Sequence, residues 1–202
     1  METATKTVGI DAAVTPTVST WQIDPIHSNV EFSVRHLMIS TVRGRMTQFT
    51  GEIRLDEADP PRGAVHAEIA AASIDTHEEI RDGHLRSADF LDVSNHPTIT
   101  FDSRTIEGDS KEGWRVTGDL TMRGVTRPVT LDMTESGAGT DPWGNERRGF
   151  SASTVIDRRD FDLVWNQVLD TGGIVLGHHV KITLDVEAVK QPATEAEAVQ
   201  PA

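Results

Sequence analysis

The chain has 202 residues, 37% hydrophobic and 25% charged, the composition of a chain that folds around one core and is not disordered as a whole. Its 19 basic and 32 acidic side chains leave a formal net charge of -13, a field that repels nucleic-acid phosphates and anionic lipid surfaces. Without cysteine there are no disulfides, thiolate nucleophiles or sulfur-built zinc sites.

Met1 to Thr7 carry Glu2 and Lys6 and lead into no apolar run of roughly 7 to 15 residues, so they do not read as a secretory signal. No stretch offers the ~18 consecutive apolar residues of a membrane-spanning helix, and the expectation is a soluble, cytoplasmic protein. Residues 1–17, rich in Thr and Ala, and 191–202, rich in Ala, Glu and Pro, read as tails around one domain over 18–190.

Within that domain apolar residues recur at every second position, the signature of strands with one buried face. In chain order the alternating sets are Val30/Phe32/Val34, Phe49/Gly51/Ile53/Leu55, Val65/Ala67/Ile69, Ile99/Phe101, Trp114/Val116/Gly118/Leu120, Val129/Leu131/Met133, Phe150/Ala152/Thr154/Ile156 and Val180/Ile182/Leu184/Val186. They predict about eight strands. Gly44 and Gly51 are expected at bulges or bends. Glu107 to Gly113 reads as a hairpin turn, making its strands antiparallel neighbours. Thr76 and Glu79 have capping-box spacing and predict one inserted helix over 77–87, weakened by Gly83. Such strands suit a sandwich or a barrel, and the bends favour the barrel.

Strand parity turns Phe32, Val34, Phe49, Ile53, Val116, Leu120, Leu131, Ile182 and Leu184 inward, and the small Ala67, Gly118 and Ala152 leave space among them. If the strand through Val34 continues unbroken, His36 points inward, and His178 does the same ahead of Val180. Both are candidates for contact with a ligand head group, because a buried imidazole needs a polar partner.

Other motifs carry little chemistry. The eight histidines form no His-x-His or His-Glu-x-x-His, and His77 and His84, seven apart on one face of a regular helix, lack a third ligand, so no metal site is expected. Gly172 to His178 lacks the lysine of a phosphate loop and reads as a flexible connection into the last strand. Asp157-Arg158-Arg159-Asp160 reads as a surface charge cluster. With no Gly-x-Ser-x-Gly elbow and no carboxylate dyad nominated by spacing, neither catalytic residues nor a cofactor are expected.

The order of several motifs adds a further reading. Trp21-Gln22-Ile23-Asp24-Pro25-Ile26-His27-Ser28 with Val30-Glu31-Phe32, then Ala72-Ser73-Ile74-Asp75-Thr76, Arg81-Asp82-Gly83-His84-Leu85-Arg86-Ser87, Asp89-Phe90-Leu91-Asp92-Val93, Pro97-Thr98-Ile99-Thr100-Phe101, Gly118-Asp119-Leu120-Thr121 and Gly124-Val125-Thr126-Arg127-Pro128-Val129 resemble the YceI-like family of polyisoprenoid-binding proteins over about residues 20–189. The resemblance implies an all-β, extended lipocalin-like antiparallel barrel with an inserted helix. It also implies an apolar tunnel for a polyisoprenoid or isoprenoid quinone that is carried, stored or sensed, and a homodimer. Many relatives carry a signal peptide, which the opening residues here are not expected to be. The tunnel would be lined by the twelve inward residues named above. Two alternatives remain: an enzyme acting on a lipid or quinone in the same cavity, and a ligand-free interaction module with a side-chain-filled core.

Overall fold

The structure, a computed structural model, describes residues 18–168 and 174–192. Most of both expected tails, and part of the glycine-rich connection, lie outside the described residues. The elements are β1 (Val18–Ile23), β2 (Asn29–His36), β3 (Ser40–Met46), β4 (Phe49–Asp56), β5 (Ala64–Ala70), β6 (Ile74–Asp75), α1 (Glu79–Arg86), β7 (Thr98–Asp109), β8 (Gly113–Met122), β9 (Val125–Thr140), β10 (Glu146–Asp157) and β11 (Leu176–Lys190).

These segments make eight staves, because three staves are broken. β11 pairs along one edge with β2 at residues 176–185 and with β1 at 188–190, so β1 and β2 are two halves of one stave. On their far edges β4 pairs with β1 and β3 with β2, and β5 and β6 pair in turn with β4 and β3. The antiparallel ladder runs on through β7, β8, β9 and β10 to β11 and closes on itself. Closure pairs both edges of the long strands, leaving the two-residue β6 bonded, among the described residues, to β3 alone, and makes the fold a barrel with one helix. No helix among the described residues is long and apolar enough to cross a membrane.

The breaks do not fall at the expected glycines. Gly44 and Gly51 sit inside regular ladders, and the break between β3 and β4 lies between them, at Thr47 and Gln48. Gly44 is needed for close packing instead: a Cβ there would lie 2.4 Å from the Phe32 ring. The β1–β2 break is fastened by its own side chains. Asp24 accepts from Ile26 N at 3.0 Å, and Ser28 Oγ donates to Asp24 O at 2.7 Å and accepts from Glu187 N at 2.9 Å.

The β2–β3 turn is unusual for its residues. Ile39 N donates to His36 O at 3.0 Å, and Leu37 and Met38 between them take φ values of 51° and 56°. Two central residues at positive φ define a turn that normally selects Asn-Gly. Side chains such as Leu and Met pay about 1–2 kcal/mol each to adopt it.

The helix is shorter than expected and is capped differently. Glu78, not Thr76, accepts from the first-turn amides, Ile80 N at 3.2 Å and Arg81 N at 2.7 Å. His77 precedes the helix, so it shares no helical face with His84. Leu85, Phe90 and Leu91 pack with Met46, Ile99, Met122 and Phe161 in the main core cluster, so α1 and the following loop close one end of the barrel. A smaller cluster of Trp21, Ile53, Phe150 and Ala188 fills the other end.

Candidate binding cavity

The barrel is not filled by its own side chains. A cavity of about 590 Å³ runs inside it, within the range of small-molecule sites, roughly 300–1,000 Å³. Phe32, Val34, Phe49, Ile53, Ala67, Val116, Leu120, Leu131, Ala152, Ile182 and Leu184 all line it. Gly118 does not: a Cβ there would lie 2.6 Å from the Phe101 ring and 2.5 Å from Asp102 O. The space expected at that glycine is occupied by the ring of Phe101, its diagonal neighbour on β7. Trp114, Trp165, Phe90 and Met122 add to the wall, which is overwhelmingly apolar.

The two candidate histidines separate. His36 lines the cavity opposite Leu176 of β11. His178 is not on the wall. Leu176 faces His36 and Val180 faces Val34, so β11 carries two more residues than β2 over that span, and His178 falls in this bulge, outside the regular pairing with β2 that alternation assumes.

Arg158 is the clearest correction. Expected on the surface, it is 3% exposed, lines the cavity, and donates from Nε to Gly177 O at 2.9 Å and from its terminal nitrogens to the Leu163 and Leu176 carbonyls. Burial pulls its pKa below the ordinary arginine value. Asp157, its neighbour, is instead taken by Arg159, whose side chain holds the carboxyl well below the usual range. Nothing in the spacing of two Asp and two Arg reveals which one turns inward.

At the α1 end the polar groups satisfy one another. Buried Asp82 accepts from Thr76 N at 3.0 Å and from the Thr76 hydroxyl; Arg81 Nε donates to that hydroxyl at 2.7 Å and a terminal nitrogen donates to Thr76 O at 2.8 Å. Thr76, Arg81 and His84 all reach the cavity wall. The His84 ring meets Phe90 and Trp165 edge-on at 5.0 and 4.9 Å, and Nε2 bonds Asp89 at 2.9 Å. The signal that could have nominated these residues was the Arg81-Asp82-Gly83-His84 motif; strand parity has no bearing on a helix.

The opposite end is closed by charge. Trp21 Nε1 donates to Ser19 Oγ at 2.8 Å, Ser19 Oγ donates to Glu57 at 3.2 Å, and Arg148 bonds Glu57 at 3.0 Å while its guanidinium carbon lies 5.0 Å above the Trp21 ring. Glu57, Glu135 and Arg148 form a polar rim of the cavity here.

Nearby, Arg147 binds Asp24 and Asp141 at 2.8 Å each and also Glu187. The bond from His27 and then that from Arg147 lower the Asp24 pKa to about 2. Among the described residues, Asp24, His27 and Glu187 are the grouping whose spacing could hold a metal ion, but the guanidinium already occupies both carboxylates.

Comparison with known proteins agrees with this architecture. The family model described as the YceI-like domain matches residues 21–188. A UPF0312 protein of Pectobacterium carotovorum is 40% identical over 165 residues, covering 82% of each chain. Burkholderia cenocepacia BcnA superimposes with a TM-score of 0.72 at 23% identity, over 82% of this chain and 98% of that one. A polyisoprenoid binding domain from Saccharophagus degradans, implicated in plant cell wall breakdown, superimposes with a TM-score of 0.57 at 15% identity, over 87% and 99% of the two chains.

Proposed function

Because this chain belongs to the YceI-like family, we propose that its cavity binds a long-chain apolar lipid of the polyisoprenoid or isoprenoid-quinone class. The observation that carries this reading is the unfilled apolar cavity of about 590 Å³. A closed barrel with a filled interior would have no use for a ligand. A void lined by Phe, Ile, Leu and Val is unfavourable when empty, because its lining lacks dispersion partners. Each buried methylene contributes about 0.8 kcal/mol, so roughly ten contribute about 8 kcal/mol, the equivalent of a micromolar dissociation constant before ordering costs. The polyisoprenoid binding domain of Saccharophagus degradans, which shares the fold, supports the choice of ligand class.

In this reading the polar head lies at the α1 end, where His36 and Arg158 join Thr76, Arg81 and His84 as the polar groups of a largely apolar wall. The test is titration with a polyprenol and with an isoprenoid quinone, read by the fluorescence of the wall residues Trp114 and Trp165. Saturable binding is expected for the native chain, and Ala152→Trp, which puts bulk into the cavity, should abolish it with the fold intact. Undiminished binding in that variant would place the ligand elsewhere.

A further inference from the structure

We propose that the β2–β3 hairpin is a docking surface for an anionic phospholipid bilayer. The chain as a whole carries -13, but the charge around this hairpin has the opposite sign. On the outer face Ser33 pairs with Arg43 of β3 on one side and with Lys181 of β11 on the other, and Arg35 stands next along β2. Arg35 donates to Thr41 Oγ1 and Met38 O, and none of the three cations is bonded to a carboxylate among the described residues. Arg45, farther from the tip, is by contrast taken by Asp75.

The tip supplies the apolar component. Met38 is 61% exposed and Ile39 80%, in the turn that forces Leu37 and Met38 to positive φ. A hairpin tip with no task to perform would carry Asn-Gly and avoid both the strain and the exposed apolar surface. Val155 of β10, paired with Lys181, extends the apolar surface beside the cations.

Exposed apolar side chains flanked by unpaired cations fit a bilayer interface, where the apolar groups enter the acyl boundary and the cations meet lipid phosphates. A second copy of the chain fits poorly, since a two-fold contact would set Arg35, Arg43 and Lys181 against their own equivalents. The hairpin is also continuous with the cavity: Leu37 N donates to Val175 O at 2.8 Å, and both Val175 and His36 line the wall. Docking would bring that wall to the membrane, and it needs no ligand inside.

The experiment is co-sedimentation of the full chain with vesicles of phosphatidylethanolamine and phosphatidylglycerol, and separately of phosphatidylcholine, none containing an isoprenoid. Association with the anionic vesicles that weakens with salt is expected. Arg43→Gln and Lys181→Gln, surface changes that leave the fold alone, should each lower it about fivefold. Met38→Asp with Ile39→Asp should lower it at least about tenfold. Trp143→Asp, at an 81% exposed side chain near the opposite end, should not change it. Equal binding to both vesicle types, no binding at all, loss in the Trp143 variant in place of the tip variant, or a dimer that the tip variant dissolves would each overturn the proposal. Because the vesicles hold no isoprenoid, failure here leaves the cavity reading standing, and a cavity that takes no lipid leaves this one standing.

Discussion

At the Trp21 end the barrel is held by charges around a buried indole, whereas at the α1 end it is held by apolar side chains and by buried polar groups that bond one another and backbone carbonyls. The first end gathers Glu57, Arg148, Asp24, Arg147, Asp141 and Glu187 into ion pairs. The second joins Arg81 and Asp82 of α1 to Thr76 and leaves Met38 and Ile39 in solvent. The difference separates two motifs that look alike in the sequence. Trp21 to Ser28 fastens a broken stave, and its side chains are spent on Asp24, Ser19 and Glu187. Arg81 to Leu91 supplies the end of the cavity wall at α1. One is a matter of stability, the other of what the cavity accepts.

The largest effect expected from this division is in Trp21→Ala. Removing a fully buried indole from the smaller core cluster should cost about 3–5 kcal/mol in urea unfolding, with lipid retention unchanged in the protein that remains folded. Loss of retention at full stability would reverse the roles of the two ends. Asp82→Ala should cost about 2–3 kcal/mol by orphaning the Thr76 amide and hydroxyl, and, unlike the Trp21 change, it should also lower retention, because Thr76 and Arg81 stand on the wall.

His36→Ala should leave unfolding unaltered and weaken ligand binding by about 1–2 kcal/mol, one lost polar contact; unaltered affinity would remove His36 from the head-group site. Arg147→Met is read through its pH dependence: it should lower stability at neutral pH, where Arg147 pairs with Asp24, Asp141 and Glu187, and the difference from the native chain should close on acidification. Asp24 has a folded pKa lowered to about 2, so its contribution to stability is complete above the unfolded value near 4 and is lost as pH falls toward about 2. Without Arg147 the folded value moves back up, and the loss of stability over that interval should be shallower. A slope identical to that of the native chain would assign the depression to His27 alone.

Much of the barrel was legible because alternation is a direct record of pleat and burial. Phe32, Ile182 and Leu184 could be turned inward by counting, and the structure puts them on the cavity wall. Counting fails where the backbone departs from regular pairing. The bulge before Val180 takes His178 off the wall, and the cross-strand Phe101 ring fills the space over Gly118. It has no purchase on irregular segments either: Arg158 is buried because the short helical turn over Arg158–Phe161 follows β10 and tucks its first residue under β11. The charge of the whole chain conceals a basic hairpin for a related reason, since a sum over 202 residues does not record which of them share a face.

The central claim, that the barrel holds a long apolar chain, is tested most directly by native mass spectrometry of the full chain purified without organic solvent, followed by extraction and identification of whatever it carries. The account predicts a discrete excess mass that extraction removes, belonging to a polyisoprenoid or isoprenoid quinone and missing from Ala152→Trp. A chain at its bare mass that also fails to take up a polyprenol or a quinone on incubation would contradict it.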